Sequence, residues 1–421
     1  MTAPDSALRA ARPAALAFIF ITVLIDVLAF GVVIPVLPHL IEGFVGGDTA
    51  HAARWVGVFG TVFAAVQFVS APVQGALSDR YGRRPVILLS CLGLGLDFVF
   101  MALANSLPWL LVGRVISAVT SASFTTANAY IADVTSPDKR AQSFGLIGAA
   151  FGLGFIIGPA LGGWLGAIDL RWPFWAAAIL ALVNFAYGLF VLPESLPPER
   201  RTTRLVWREA NPLGALALLR RYPQVLGLAG VVLLINFAHY VYPSVFVLFA
   251  DYRYGWGPQS VGSVLAVVGV MSVLVQAVLV KRAVGRFGER RTLLVGLGAG
   301  ALGSIAYAIA PTGAWFIAAI PVTALWGMAT PTTQALITRQ IDPAEQGRIQ
   351  GALSSLVSLA GIAGPTVFTS VFAWFIAPSA PVHAPGAPFA LAGACLLAAW
   401  LVARRHAPQR APVLQPQPDA A

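Results

Sequence analysis

The chain has 421 residues, of which 58% are hydrophobic and only 10% charged, with a mean hydropathy of +0.78. An ordinary soluble domain carries about 25% charged residues, so a water-soluble enzyme or binding module is excluded over most of the length. The net charge of +10 alternates with apolar runs instead of forming one basic face, which excludes a nucleic-acid partner.

Windows of about 20 apolar residues, enough to cross ~30 Å of hydrocarbon, recur along the chain. They predict twelve spans: 14–40, 53–77, 86–104, 107–131, 143–166, 173–192, 223–250, 259–283, 291–310, 314–338, 348–376 and 388–404. The first contains Asp26 and Pro35 and is followed by no small-residue cleavage site; it reads as a retained span, not a signal peptide. Placing the N-terminus on the cytoplasmic side puts 23 of the 27 Lys and Arg there. Only Arg54, Arg171 and Arg253 fall opposite, and Arg114 lies within a span. By the positive-inside rule both termini are then cytoplasmic.

Taken in chain order, Asp26 is the first residue that carries chemistry. It lies near mid-span, where a carboxylate is costly unless neutral, paired or facing a wet cavity. Between the second and third spans stands a short basic hairpin, Gly75-Ala-Leu-Ser-Asp79-Arg80-Tyr-Gly82-Arg83-Arg84. Its glycines permit a tight turn, and Asp79 with Arg80, Arg83 and Arg84 is expected to act as a charge lock at the cytoplasmic side. Asp97 in the third span and Arg114 in the fourth are expected at comparable depth, where pairing would cancel most of the burial penalty. In the fifth span Gly145, Gly154, Gly158, Gly162 and Gly163 fall mostly at helical i, i+4 spacing, a pattern that lets helices approach closely. Pro159 bends that helix. Polar side chains in spans prefer the protein interior, which makes Gln67, Asn128, Asn236, His239, Tyr240, Tyr242, Gln276 and Gln334 candidates to line a cavity. Cys91 and Cys395 lie in separate spans and read as buried spectator thiols.

Residues 193–222, rich in Pro and Arg, predict a cytoplasmic linker between two six-span halves, 1–192 and 223–406, with a disordered tail at 407–421. The halves echo each other at an offset of 206 residues. Arg80-Tyr81-Gly82 recurs as Arg286-Phe287-Gly288, Gly158-Pro159 as Gly364-Pro365, Gly145 as Gly351 and Pro137 as Pro343. Gly285 stands where the first half has Asp79. A duplicated six-span unit predicts an all-α membrane protein of two pseudo-symmetric six-helix bundles, with a substrate cavity between them near the midplane.

These features resemble the major facilitator superfamily over nearly the whole chain. The 75–84 hairpin is similar to that family's loop signature. Gly145, Gly154, Gly158, Pro159, Gly162 and Gly163 resemble the fifth-span signature of its drug:proton antiporter branch. Asp26, Gly31, Pro35 and Pro38 resemble that branch's first-span pattern. Within the branch, Ser78–Val86, Leu96-Asp97-Phe98, Gly113-Arg114 and Ala149–Gly154 are similar to bacterial tetracycline-efflux proteins. The likeness departs at Leu297-Gly-Ala-Gly-Ala-Leu302, where such proteins carry a ninth-span aspartate, and at Ser272, where they carry a histidine. Gln276 is retained. That departure argues against tetracycline itself as the substrate and directs attention to His239 as an alternative second-half proton group.

The resemblance implies a proton-coupled antiporter in a bacterial inner membrane. It would export a small amphipathic compound by alternating access, with no cofactor, and one chain would suffice for the whole path. Asp26, Asp97, Arg114, Asn128, Asn236, His239 and Gln276 would serve proton coupling or line the cavity. No Gly-x4-Gly-Lys-Ser/Thr loop for ATP occurs, nor any zinc-type Cys/His cluster. A sugar or metabolite carrier of the same fold is the alternative. A membrane receptor or lipid-handling enzyme would require polar catalytic groups at a surface, which the sequence does not offer.

Overall fold

In hydrocarbon every backbone N–H and C=O must be satisfied within the protein, which restricts spanning segments to helices or closed barrels. Among the described residues of the computed structural model, every regular element is helical. Those residues are 3–120, 123–135, 140–201, 222–342 and 345–408; the side chains of 3–16, 123–125, 128, 140–142, 144, 146, 200 and 224 are outside the description. The predicted linker therefore falls largely, and the predicted tail almost entirely, outside the described residues.

The helices are α1 (Ala3–Val33), α2 (Leu37–Phe44), α3 (Thr49–Tyr81), α4 (Arg83–Leu103), α5 (Leu107–Thr120), α6 (Ser123–Val134), α7 (Arg140–Ile168) and α8 (Trp172–Val191). After residues 202–221 come α9 (Pro223–His239), α10 (Val241–Tyr254), α11 (Pro258–Leu274), α12 (Val280–Ile309), α13 (Gly313–Ala324), α14 (Ala329–Thr338), α15 (Gln346–Ile376) and α16 (Ala387–His406). A π-helical segment, Val275–Leu279, joins α11 to α12, and a 3-10 turn, Leu325–Met328, joins α13 to α14.

Ten stretches among the described residues are long and apolar enough to cross a membrane. One of them, Pro258–Ile309, is 52 residues long and covers two predicted spans, 259–283 and 291–310. It bends at Gly288, whose φ of 78° and ψ of 166° leave the helical region. The predicted span 107–131 is divided between α5 and α6. Several large apolar side chains point outward, among them Phe190 at 89% exposure and Ile309 at 72%. In water such a surface would drive association; in a bilayer it is the lipid-facing wall.

The helices gather into two compact units that do not follow chain order. Unit 1 comprises Met1–Ala210, Val241–Val270 and Gly361–Pro385; unit 2 comprises Asn211–Tyr240, Met271–Ala360 and Gly386–Ala421. In unit 1 a core of Phe18, Ile19, Val23, Ile87, Cys91, Tyr130, Ile147 and Leu192 joins α1, α4, α6 and α7. Segments from the second half of the sequence pack onto it through small residues. A methyl group at Gly60 on α3 would lie 2.7 Å from Pro365 on α15, and Thr61 Oγ1 donates to the Ile362 carbonyl at 2.8 Å. A methyl at Gly163 on α7 would lie 3.0 Å from the Gly262 Cα on α11. In unit 2, Tyr307 stacks on Phe316 with ring centroids 3.9 Å apart, and Phe389 meets both edge-on, pinning α12, α13 and α16.

Candidate functional site

Asp26 lies on α1 one helical turn after Thr22 and is partly exposed. Thr22 Oγ1 donates to Asn184 Oδ1 on α8 at 3.3 Å, and Asn184 Nδ2 donates to Cys91 Sγ on α4 at 3.6 Å. Asp26 is near enough for its charge to act on that thiol. A polar thread thus crosses an otherwise apolar core beside the first-span carboxylate. Cys91 is part of it, a contact that the spectator reading did not foresee; Cys395 is half-buried on α16.

Asp97, on α4, is fully buried. Arg114 and Ser117 of α5 are the groups that act on its carboxyl, yet neither oxygen accepts a hydrogen bond. Gly113 makes room for it: a methyl there would lie 2.8 Å from Asp97 Oδ1. The expected close ion pair with Arg114 does not form. Arg114 instead places its guanidinium 4.5 Å from the centroid of the Phe63 ring on α3. A planar, weakly hydrated cation is well served by an aromatic face, so Arg114 is satisfied without closing on Asp97. The two groups remain electrostatic neighbours held apart.

The basic hairpin is densely bonded. Arg83 Nη1 donates to Asp79 Oδ1 at 2.5 Å and to Ser78 Oγ at 2.9 Å, while its Nε donates to Asp133 Oδ2 of α6 at 3.1 Å. The backbone amides of Arg83 and Arg84, which open α4, donate to the two oxygens of Glu194 at 2.8 and 3.3 Å. Glu194 also accepts from the amides of Ser195 and Leu196. A carboxylate at a helix N-terminus satisfies orphan donors and meets the positive end of the dipole. Gly82, with φ 106°, makes this approach possible, because a β-carbon there would lie 2.6 Å from the Glu194 carboxyl carbon. Arg84 Nη2 donates to the Leu189 carbonyl at 2.7 Å, and Arg80 lies exposed over the Tyr81 ring at 5.2 Å. Gly75 has open space around it.

Asp133 and Glu194 are therefore central to the hairpin and absent from the sequence-derived set. A usable signal existed for the former. At the repeat offset of 206, Arg83 corresponds to Glu289 and Asp133 to Arg339, and in unit 2 Arg339 Nη2 lies 2.7 Å from Glu289 Oε1. The pair recurs with its signs exchanged, so a search for identical residues passes over it. Gly288 repeats the positive φ of Gly82 at the same offset.

The fifth-span glycines divide by partner. Gly154, Gly158 and Gly162 face α1: a methyl at Gly154 would lie 2.8 Å from Val27 Cβ, and one at Gly158 would lie 2.8 Å from the Leu28 carbonyl and 2.9 Å from the Gly31 Cα. Gly163 faces α11 instead. Gly145 meets nothing within 4 Å. Pro159 lies inside α7, its ring against Gly31.

In unit 2, His239 ends α9 at a break near the middle of the stretch Val225–Tyr254, with its ring 5.9 Å from Trp326. Within the departing ninth-span stretch, Gly300 packs against the same tryptophan: a methyl there would lie 2.9 Å from Trp326 Cγ. Asn236 Nδ2 donates to the Val232 carbonyl of its own helix at 2.8 Å. Gln276 is exposed on the π-helical segment, a distortion often found at functional sites. The Asn128 side chain is outside the described residues.

Comparison with known proteins decides the family. The model of the Major Facilitator Superfamily matches residues 19–365. The chain belongs to the major facilitator superfamily. It is 40% identical to the class C tetracycline resistance protein of Escherichia coli, over 85% of this chain and 90% of that protein. It is 33% identical to the class B tetracycline resistance protein of Escherichia coli, over 83% and 86%. Among solved structures it is similar to the human organic anion transporter MFSD10, with a TM-score of 0.68 and 24% identity over 93% and 99% of the two chains. A peptide transporter, POT, superposes with a TM-score of 0.77 at 14% identity over 93% and 95%. At those identities the structural likeness speaks for the fold alone. As a superfamily member the protein is a multi-pass membrane transporter for small molecules.

Proposed function

We propose that this protein exports a small amphipathic, drug-like compound in exchange for protons, by alternating access and without ATP or any bound cofactor. The observation that carries the reading is its 40% identity, over nine-tenths of the relative's length, to a tetracycline resistance protein. The placement of Asp26, Asp97 and Arg114 supports it, since intramembrane ionisable residues mark ion and substrate paths. Asp26 beside the Thr22–Asn184–Cys91 thread is partly accessible, as a group that loads and releases protons must be. Asp97 and Arg114, close but not bonded, are poised to respond to a proton on the carboxyl. His239, Asn236 and Gln276 would complete the path in the second half, and the bonded hairpin at 78–84 would act in gating. The chain works as a carrier and not an enzyme, a single copy suffices, and both termini face the cytoplasm of a bacterial inner membrane.

Tetracycline itself is not the preferred cargo, because the stretch Leu297–Leu302 lacks a carboxylate and Gly300 is filled against Trp326. Expression in an efflux-deficient bacterium tests the reading. The intact chain should raise resistance to one or more amphipathic drugs at least fourfold, and Asp26→Asn should abolish the gain at equal membrane abundance. No change with any of a broad drug panel would refute drug export.

A further inference from the structure

The end of unit 1 remote from the basic hairpin holds a charge arrangement that the transport reading does not use. The 33-residue α3 separates the two, starting at Thr49 beside this region and ending at Tyr81. His39 and Glu42 lie three residues apart on α2 and so share one helical face. Asp251, on α10, comes to meet them. One donor atom from each residue lies within 4.8 Å of the other two.

Three features point to a ligand. The His39 imidazole is nine-tenths buried, yet neither ring nitrogen is hydrogen-bonded: Nδ1 faces Asp251 Oδ2 at 3.6 Å and Nε2 has no partner. A buried polar group in that condition is uncommon in a folded protein. Glu42 and Asp251 act on one another as like charges, with Asp48 adding to the same field. Among the described residues no lysine or arginine forms an ion pair with Glu42, Asp48 or Asp251; Thr49 donates to Glu42 and the His51 amide to Asp48. Asp251 is 36% exposed, so a solute can enter from water.

We propose that His39, Glu42 and Asp251 form a binding site for a first-row divalent transition-metal cation. One imidazole and two carboxylates are a donor set for Zn2+, Mn2+ or Co2+, whereas Mg2+ and Ca2+ prefer oxygen alone. Coordination at about 2.0–2.2 Å in a tetrahedral shell sets ligand atoms roughly 3.3–3.6 Å apart. His39 and Asp251 already stand at that separation, and a modest rotation of the Glu42 side chain completes the set. Solvent fills the remaining position. The ion would tie α2 to α10 and neutralise the crowded carboxylates. The site is independent of the transported substrate.

Tag-free purified protein in nanodiscs, titrated with Co2+ and followed by its visible absorption, tests this, with Zn2+ competition and thermal unfolding as second readouts. One equivalent of Co2+ should bind at micromolar concentration with nitrogen–oxygen ligand bands, and Zn2+ should displace it and raise the unfolding midpoint. His39→Ala, Glu42→Gln and Asp251→Asn should each weaken binding at least tenfold. Asp251→Asn, altering a partly exposed side chain at constant shape, retains the fold and keeps the test decisive should His39→Ala fail to fold. Absence of binding up to millimolar metal, or binding equally strong in Asp251→Asn and Glu42→Gln, overturns the proposal, and drug export has no bearing on either result.

Discussion

Asp97 on the buried face of α4 and Gly82 at the start of that helix differ in what their substitution should do. Asp97 is fully enclosed, with Arg114 and Ser117 acting on its carboxyl, so Asp97→Asn removes the charge at nearly constant shape. The variant should fold with a melting temperature within about 2 °C of the parent, equivalent to at most about 2 kcal/mol for a chain of this length, and lose proton-coupled transport; scanning calorimetry and a vesicle pH-quench assay separate the two effects. Gly82 presents the opposite case. Its positive φ disfavours any side chain, and a β-carbon would displace the Glu194 carboxylate from the start of α4. Gly82→Ala should therefore cost about 1–3 kcal/mol, read as a lowered unfolding midpoint. Asp26, Asp97, Arg114 and Gly82 were all legible in the sequence, because a charge in hydrocarbon or a glycine in a basic turn is conspicuous by residue type. That Arg114 rests on Phe63 was not legible, since nothing in a linear pattern tells an arginine which of two neighbours it will choose.

Among the elements, the exchanged-sign pairs at the ends of α4 and α6 and of their repeat counterparts offer a comparison within one molecule. Arg83 is only 12% exposed and serves Ser78, Asp79 and Asp133. Arg83→Ala leaves Asp79 and Asp133 without their shared cation; both are part-exposed, at 47% and 25%, so water offsets part of the buried-pair penalty and the cost should be about 2–3 kcal/mol. Arg339 is 54% exposed and serves Glu289 alone among the described ion pairs, although that carboxylate is only 12% exposed, so Arg339→Ala should cost less than Arg83→Ala, about 1–2 kcal/mol. Thermal unfolding of the two variants side by side checks this; equal losses would mean that the hairpin is not the tighter lock. The fifth-span stripe teaches a related lesson. Small residues at i, i+4 spacing announced close packing of α7, but its main partner proved to be α1, with Gly163 alone turned to α11. Spacing reveals that a helix approaches another, not which one, because the partner is chosen by the rest of the bundle.

For the whole molecule, the two compact units cut across the duplicated sequence: α10, most of α11 and the later part of α15 belong with the first half. Those segments are attached to unit 1 by glycine and threonine contacts and by the His39–Asp251 approach, not by extensive charge networks. Reconstituted protein should concentrate substrate against its gradient only while a proton gradient is maintained. Collapsing that gradient with a protonophore should reduce accumulation at least tenfold without stopping exchange of labelled for unlabelled substrate. Accumulation that survives the protonophore would sink proton exchange as the driving force.

What the amino-acid order determined unaided was everything that follows from one-dimensional rules. Apolar run length predicted an all-helical membrane protein, the imbalance of arginines predicted an orientation, and a constant offset predicted a duplication, because hydrocarbon thickness and charge exclusion act on each segment independently. What the tertiary structure alone decided was which distant side chains meet: Glu194 over the amides of α4, Asp133 against Arg83, Asp251 against His39 and Trp326 between His239 and Gly300. Those encounters depend on how helices rotate and lean under close packing, where a single added methyl group can forbid a contact, and no local pattern encodes that choice.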